Sequence, residues 1–237
     1  MIKGILFDKD GTLIEFERTW HSIMTIVFKK IQTDNLMNHE QLEKIKVHCG
    51  YMKNGFEQES KIQYLPTSSI IKNWLQLIGE TSIVNMENQL YNIFNEASVD
   101  YGVTIQLLPG TKEIIPYLSK KYFIGIATAD TEASMKHSLE NAGLIDYFDY
   151  FGSDNGELRG KPDPMMAQEF CDSFDIKRNE LLIVGDSVSD FQFALNSNAQ
   201  FVGIHNQYGV LKQHIDEKNL EIQLVSDLTE LVKVMAL

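Results

Sequence analysis

The chain has 237 residues, of which 43% are hydrophobic and 23% are charged, which is ordinary usage for a globular protein and excludes a disordered, collagen-like or coiled-coil chain. Lys and Arg number 21 against 33 Asp and Glu, so the formal net charge is −12, and no basic cluster is present that could bind nucleic acid. No apolar run reaches the roughly 20 residues that span a bilayer, which excludes a transmembrane helix.

The first predicted element is a strand over residues 2–7, which leads directly into the sequence FDKDGTL. Asp8 and Asp10 therefore stand at the carboxyl end of a strand, where open α/β sheets bind ligands, although a D-G dipeptide also marks an ordinary turn. Acids so close to the N-terminus do not fit a signal peptide. The two cysteines, Cys49 and Cys171, form no disulfide or metal-binding pattern. These two observations predict a cytoplasmic protein.

Residues 16–107 interrupt the strand pattern and carry apolar residues at helical spacing, which predicts a folded helical insertion. Trp20 and His21 stand at its beginning, close in sequence to the two acids. A glycine-containing segment over residues 48–59 includes Lys53 and Asn54. These four residues are candidates for substrate contact, and core packing or solvated loops are the alternatives.

After the insertion, short apolar runs alternate with helical patterns. The predicted strands cover residues 123–127, 147–151, 181–184, 201–204 and 221–225, and the predicted helices cover residues 112–120, 131–142, 189–196 and 227–235. This alternation predicts an α/β fold with a doubly wound, mostly parallel, Rossmann-like sheet. We therefore expect an α/β core over residues 1–15 and 108–237 and a helical cap over residues 16–107.

Polar groups follow the later strands as well. Thr128 closes the run FIGIAT, Lys161 lies in GKPDP, and Asp186 and Asp190 lie in GDSVSD. Because the carboxyl ends of parallel strands meet at one edge of a sheet, these side chains are predicted to converge with Asp8.

Taken in order, DKDGT, Thr128, Lys161 with Pro162, and GDSVSD closely resemble the four motifs of the haloacid dehalogenase-like hydrolase superfamily. With a helical insertion after the first motif, the chain is similar to the phosphoglycolate phosphatase-like group. The resemblance implies a Mg²⁺-dependent phosphatase that acts on a small phosphorylated metabolite through an aspartyl-phosphate. Dehalogenases of the superfamily lack the second acid of the first motif, which is present here as Asp10.

The resemblance also implies a role for each site residue. Asp8 would be the nucleophile, and Asp10 the general acid and base. Mg²⁺ would be held by the carboxylates of Asp8 and Asp186 and by the backbone carbonyl of Asp10, and Asp190 would orient this cluster. The phosphate-binding groups would be Thr128, Lys161 and backbone N–H groups around Gly11 and Ala129.

Two carboxyl groups that face one pocket disfavour each other's ionisation. We therefore expect either Asp8 or Asp10 to be driven toward its protonated form. The sequence departs from many relatives at Asp130, where an Asn is common. A carboxylate cannot donate a hydrogen bond as an amide does, and the alternative role for Asp130 is a helix cap.

Several alternatives stay open. A sugar-phosphate mutase would use the same residues, and a non-enzymatic binding protein could retain the scaffold. Phosphoglycolate is one candidate substrate beside sugar phosphates, nucleotides and pyrophosphate. The sequence does not specify an oligomeric state.

Overall fold

The computed structural model describes residues 1–57, 60–63, 65–79, 84–100, 102–153, 160–205 and 210–235. Its strands are β1 (Gly4–Phe7), β2 (Tyr51–Met52), β3 (Gly55–Phe56), β4 (Phe123–Ala127), β5 (Tyr150–Gly152), β6 (Leu181–Gly185), β7 (Gln200–Ile204) and β8 (Gln223–Val225). Its α-helices are α1 (Phe16–Thr33), α2 (His39–His48), α3 (Thr67–Leu77), α4 (Val84–Ser98), α5 (Thr111–Leu118), α6 (Glu132–Asn141), α7 (Met165–Phe174), α8 (Val188–Ser197), α9 (Leu211–Lys218) and α10 (Leu228–Met235).

Six strands form one parallel sheet in the order β5-β4-β1-β6-β7-β8. The chain runs from β1 outward to β4 and β5, and then returns past β1 to β6. This reversal places a topological switch point at β1 and β6, where the loops diverge and leave a crevice at the carboxyl ends of the strands. The doubly wound fold class predicted from the sequence is confirmed.

Helices cover both faces of the sheet, as the side chains of β1 show. Ile5 and Phe7 belong to a buried cluster that includes residues of α5, α6 and α10, whereas Leu6 packs on the other face with residues of α7 and α8. Because successive side chains of a strand point to opposite faces, a strand buried on both sides needs an unbroken apolar sequence. That is the pattern of Gly4–Phe7.

The insertion has a hydrophobic core of its own, built from α1 to α4. Trp74 and Met24 are among its fully buried residues. The hairpin of β2 and β3 was not predicted; its strands have only two residues each, too short for a periodic pattern. Gly50 and Gly55 adopt positive φ values of 64° and 135° beside these strands, which glycine accommodates without strain.

Two local predictions need correction. The strand expected over residues 147–151 begins only at Tyr150, because a 3₁₀ helix occupies Ile145–Tyr147. Asp130 does not cap α6; the N-cap is Thr131, whose hydroxyl accepts a hydrogen bond from the Ser134 backbone N–H at 3.3 Å. The Asp130 carboxylate is engaged elsewhere, as described below. Within the described ranges, no helix has both the length and the apolar character needed to cross a membrane.

Candidate active site

Asp8 lies at the carboxyl end of β1 and is buried, with 8% of its surface exposed. Its backbone N–H donates to the carbonyl of Val184 at 2.8 Å, which continues the β1–β6 pairing by one residue and fixes the start of the loop. The ammonium group of Lys161 donates to Asp8 Oδ1 at 2.5 Å. The sheet edge thus presents a carboxylate and a cation that were separated by 153 positions in the sequence.

Asp186 follows β6 and approaches the loop that leaves β1. The hydroxyl of Thr12 donates to Asp186 Oδ1 at 3.3 Å. Gly11 has φ 85°, and a Cβ atom there would lie 2.2 Å from Asp186 Oδ2. Glycine is therefore required at position 11 for two reasons: its positive φ and the close approach of the Asp186 carboxylate.

Replacing Gly11 by Ala is expected to destabilise the fold by about 2–4 kcal/mol and to displace Asp186, because a positive φ and a steric overlap combine at one position. Gly143→Ala is the matched control: Gly143 has φ 67°, but a Cβ atom there would meet nothing within 4 Å. That control should cost only about 1 kcal/mol. Chemical denaturation of both variants checks the difference, and equal losses would contradict the steric argument.

Asp190 lies in the first turn of α8 and is buried. Its Oδ1 accepts a hydrogen bond from Lys161 at 2.5 Å, and its Oδ2 accepts from the backbone N–H and the hydroxyl of Ser187 at 3.0 and 2.5 Å. Ser187 is also the N-cap of α8 and forms a reciprocal capping box with Asp190. The helix start therefore holds Asp190 in place, and Asp190 holds Lys161 against Asp8.

Three carboxylates converge closely enough to bind one metal ion. Ligand oxygens of Asp8, Asp186 and Asp190 all lie within 4.8 Å of one another. An all-oxygen set of negatively charged ligands is the chemistry that Mg²⁺ prefers. The site residues therefore fit a Mg²⁺ ion. The side chain of Asp10 is not part of this set, because it turns toward Lys9.

Burial and crowding set the protonation behaviour of the site. Burial raises the pKa of Asp8 well above its usual value; Lys161 opposes this shift, and Asp190 and Asp186 add to it. Burial lowers the pKa of Lys161, but the charges of Asp190 and Asp8 more than offset it, so that its pKa is raised. Asp190 and Asp186 thus contribute to a pKa rise that the sequence had attributed to the proximity of Asp8 and Asp10.

Thr128 and Ala129 follow β4 and line the same cavity as Asp8. Thr128 is buried, and its hydroxyl oxygen accepts a hydrogen bond from the backbone N–H of Asp130 at 3.2 Å. The loop thereby places the Thr128 hydroxyl beside the nucleophile candidate, where it could bind a phosphate oxygen.

Residues of the insertion close this cavity from the opposite side. Trp20 and Phe16 contribute from α1, and Ile62, Gln63 and Leu65 contribute as well. The volume of this cavity is about 30 Å³. A cavity of this size leaves little room for a phosphate ester beside Asp8.

The remaining insertion candidates lie away from this cavity. His21 stacks on Tyr51 with ring centroids 4.9 Å apart, and its Nε2 lies 3.1 Å from the carbonyl oxygen of Met52. Lys53 and Asn54 form the exposed turn of the β2–β3 hairpin. None of these three predicted residues lines the cavity, whereas Trp20 does.

Three contributors were not identified from the sequence motifs. Lys9 is fully buried beside Asp10, Ser187 holds Asp190, and Gln63 lines the cavity from the insertion. A lysine between two acids, considered together with the further acid at position 130, was a signal that could have identified Lys9. No comparable signal marks Gln63, because its position depends on how the insertion packs on the core.

Known proteins resemble this chain in sequence and in fold. The family model of the haloacid dehalogenase-like hydrolases matches residues 5–204. Phosphoglycolate phosphatase of Nitrosospira multiformis is 28% identical over 200 residues, covering 81% of this chain and 78% of that protein. Phosphoglycolate phosphatase of Vibrio parahaemolyticus is 24% identical over 241 residues, covering 99% and 96%. The crystal structure of CbbY from Rhodobacter sphaeroides in complex with phosphate superposes with a TM-score of 0.71 at 16% identity, covering 98% and 96%, which shows a shared fold.

Proposed function

We propose that this chain removes phosphate from a small phosphomonoester through attack by Asp8. The chain belongs to the haloacid dehalogenase-like hydrolase family and is a phosphatase of that family. The observation that carries the proposal is the convergence of Lys161 with Asp8 and Asp190 at the carboxyl end of the sheet, beside Asp186. A buried carboxylate with an adjacent cation and room for a divalent ion is what phosphoryl transfer requires.

In the first step a carboxylate oxygen of Asp8 attacks phosphorus, and the bond from phosphorus to the ester oxygen breaks. Asp10 supplies a proton to the departing oxygen, so that an alcohol leaves and an aspartyl-phosphate remains. Lys161 balances the negative charge that gathers on the phosphoryl group, and the hydroxyl of Thr128 donates a hydrogen bond to it.

In the second step a water molecule attacks phosphorus, Asp10 takes a proton from that water, and the bond from phosphorus to the Asp8 oxygen breaks. Inorganic phosphate leaves and the Asp8 carboxylate is restored. The carboxylates of Asp8 and Asp186 and the carbonyl of Asp10 would hold Mg²⁺, with Asp190 orienting the cluster. When bound, Mg²⁺ supplies positive charge that stabilises the phosphate oxygens.

Substrate size follows from the insertion. Since the closed cavity is small and its insertion side is lined by Trp20, Phe16, Ile62 and Leu65, we expect a small leaving group and an insertion that opens and closes during turnover. Phosphoglycolate is the leading candidate, supported by the names of the relatives from Nitrosospira multiformis and Vibrio parahaemolyticus. The expected partner is therefore a small phosphorylated metabolite of the cytoplasm.

Phosphate release from a panel of substrates tests this function. The panel includes 2-phosphoglycolate, sugar phosphates, nucleoside monophosphates and pyrophosphate, each with Mg²⁺ or with EDTA. We expect release with Mg²⁺ that falls by at least about 100-fold in EDTA, because the crowded carboxylates need a cation to accept an anionic substrate. A mutase would instead require a bisphosphate activator and release little phosphate. Absence of release from every substrate by the folded, Mg²⁺-containing protein would contradict the proposal.

A further inference from the structure

We propose that Lys9, paired with Asp130, is a positioning residue that fixes the carboxylate of Asp10 for proton transfer to the leaving group. The inference rests on the proposed function, because it takes Asp10 to be the acid of the reaction. It concerns a group that the phosphatase mechanism described above does not use. Lys9 lies within the first motif of this chain, between Asp8 and Asp10, and it forms ion pairs with Asp10 and Asp130.

Lys9 is fully buried, with 0% of its surface exposed, although it stands in a loop at the edge of the sheet. Its ammonium nitrogen lies 2.7 Å from both carboxylate oxygens of Asp10 and 3.1 Å from Asp130 Oδ2. Asp10 is therefore bound through both of its oxygens by one donor. Such a contact restricts the rotation of a short side chain to one narrow range.

A buried ammonium is tolerated only with close countercharges. Asp10 and Asp130 supply these countercharges, at 2.7 and 3.1 Å from the Lys9 ammonium nitrogen. The cation in turn reduces the repulsion between the two carboxylates that flank it. Removing the lysine alone would leave Asp10 and Asp130 facing each other without their shared cation.

Three hydrogen bonds fix the position of Asp130, so that it can in turn fix the position of Lys9. Its Oδ1 accepts from the Thr131 backbone N–H at 2.7 Å, and its Oδ2 accepts from the Ser134 hydroxyl. Its own backbone N–H donates to the hydroxyl oxygen of Thr128. The ion pair therefore connects the Asp10 loop after β1 with the phosphate-binding loop after β4.

The contact shows why an aspartate suits position 130. An asparagine there could not balance a buried lysine, whereas an aspartate does. The buried charge of the lysine at position 9 and that of the aspartate at position 130 therefore depend on each other. The consequence of this pairing for the reaction is geometric, since small displacements of a proton donor can cost about 100-fold in rate.

The test compares two substrates that differ in how much they need a proton donor. The ester oxygen of an alkyl phosphate, such as 2-phosphoglycolate, must be protonated as it leaves, whereas p-nitrophenolate is a stable leaving group. The parameter kcat/KM reports the steps up to the first irreversible one, which includes formation of the aspartyl-phosphate. Loss of Asp10 positioning should therefore affect the alkyl phosphate far more than p-nitrophenyl phosphate.

Lys9→Met is expected to lower kcat/KM by about 100-fold for 2-phosphoglycolate and by about tenfold or less for p-nitrophenyl phosphate. The double variant Lys9→Met/Asp130→Asn removes both charges and should fold stably, even if Lys9→Met alone does not. Because it still lacks the donor to Asp10, we expect it to keep the selective loss. Lys136→Met, which breaks an exposed pair with Glu132, is the matched control and should leave both values unchanged.

The outcomes are distinguishable. If the wild-type protein hydrolyses neither p-nitrophenyl phosphate nor any substrate of the panel described above, the proposed function fails and this inference fails with it. If the wild type is active, three results overturn the positioning role alone. These are an equal loss on both substrates, a loss below about threefold, and full recovery of activity in the stable double variant.

Discussion

Replacing Asp8 by Asn is expected to lower kcat by at least about 10⁴-fold while the protein remains folded. The amide cannot attack phosphorus as a carboxylate does, so the reaction loses its covalent route. Stability should not suffer, because the substitution removes one of three crowded carboxylates, and Lys161 keeps its contact with Asp190. Steady-state phosphate release and thermal unfolding in EDTA measure the two effects.

Asp172→Asn is the control for this substitution, because Asp172 is exposed on α7 and lies outside the four motifs. It removes the same charge and should leave kcat unchanged. Activity of the Asp8→Asn protein within about tenfold of the wild type would exclude Asp8 as nucleophile. Loss of activity together with unfolding would contradict the expected stability.

Lys161→Met is expected to produce the second large effect, on both catalysis and stability. Lys161 is buried and lies 2.5 Å from both Asp8 and Asp190, so its removal leaves two buried carboxylates without their cation. Breaking a buried pair from one side typically costs about 3–5 kcal/mol. We expect such a loss in the free energy of unfolding without metal, and a fall in kcat/KM of about 10³-fold because the phosphoryl charge is no longer balanced.

A divalent cation should partly replace the missing lysine charge. Addition of Mg²⁺ is therefore expected to raise the Tm of Lys161→Met by more than it raises the Tm of the wild type. Lys30→Met is the control, because Lys30 pairs with Glu96 at the surface, where such pairs contribute about 0–1 kcal/mol. A Lys161→Met protein as stable as this control would contradict the role assigned to the buried ion pair.

The α/β part of the fold could be predicted because its strands are buried on both faces. Such strands, as Gly4–Phe7 and Leu181–Gly185 show, need continuous apolar sequence, and that signal is local. The meeting of Asp8 with Lys161 and Asp186 could be predicted for a related reason. Once the strands are parallel, their carboxyl ends define one edge, and the residues that follow them must lie there.

What could not be predicted depends on side-chain packing between distant segments. The buried position of Lys9 requires Asp130 to lie beside it, and those residues belong to different loops. The composition of the cavity depends on the packing of the insertion against the sheet edge, which brings Gln63 close and leaves Lys53 and Asn54 outside. Helical spacing identifies the buried face of each insertion helix, but it does not determine where the insertion meets the core.

The most direct test of the account is chemical identification of the phosphorylated residue. Turnover of p-nitrophenyl phosphate with Mg²⁺, quenched rapidly and reduced with borohydride, converts an aspartyl-phosphate to homoserine, which peptide mass spectrometry detects. We predict homoserine at position 8 in the wild-type protein and none in Asp8→Asn. Homoserine at any other aspartate, or phosphate release by the wild type with position 8 unmodified in every quenched sample, would contradict the central role of Asp8.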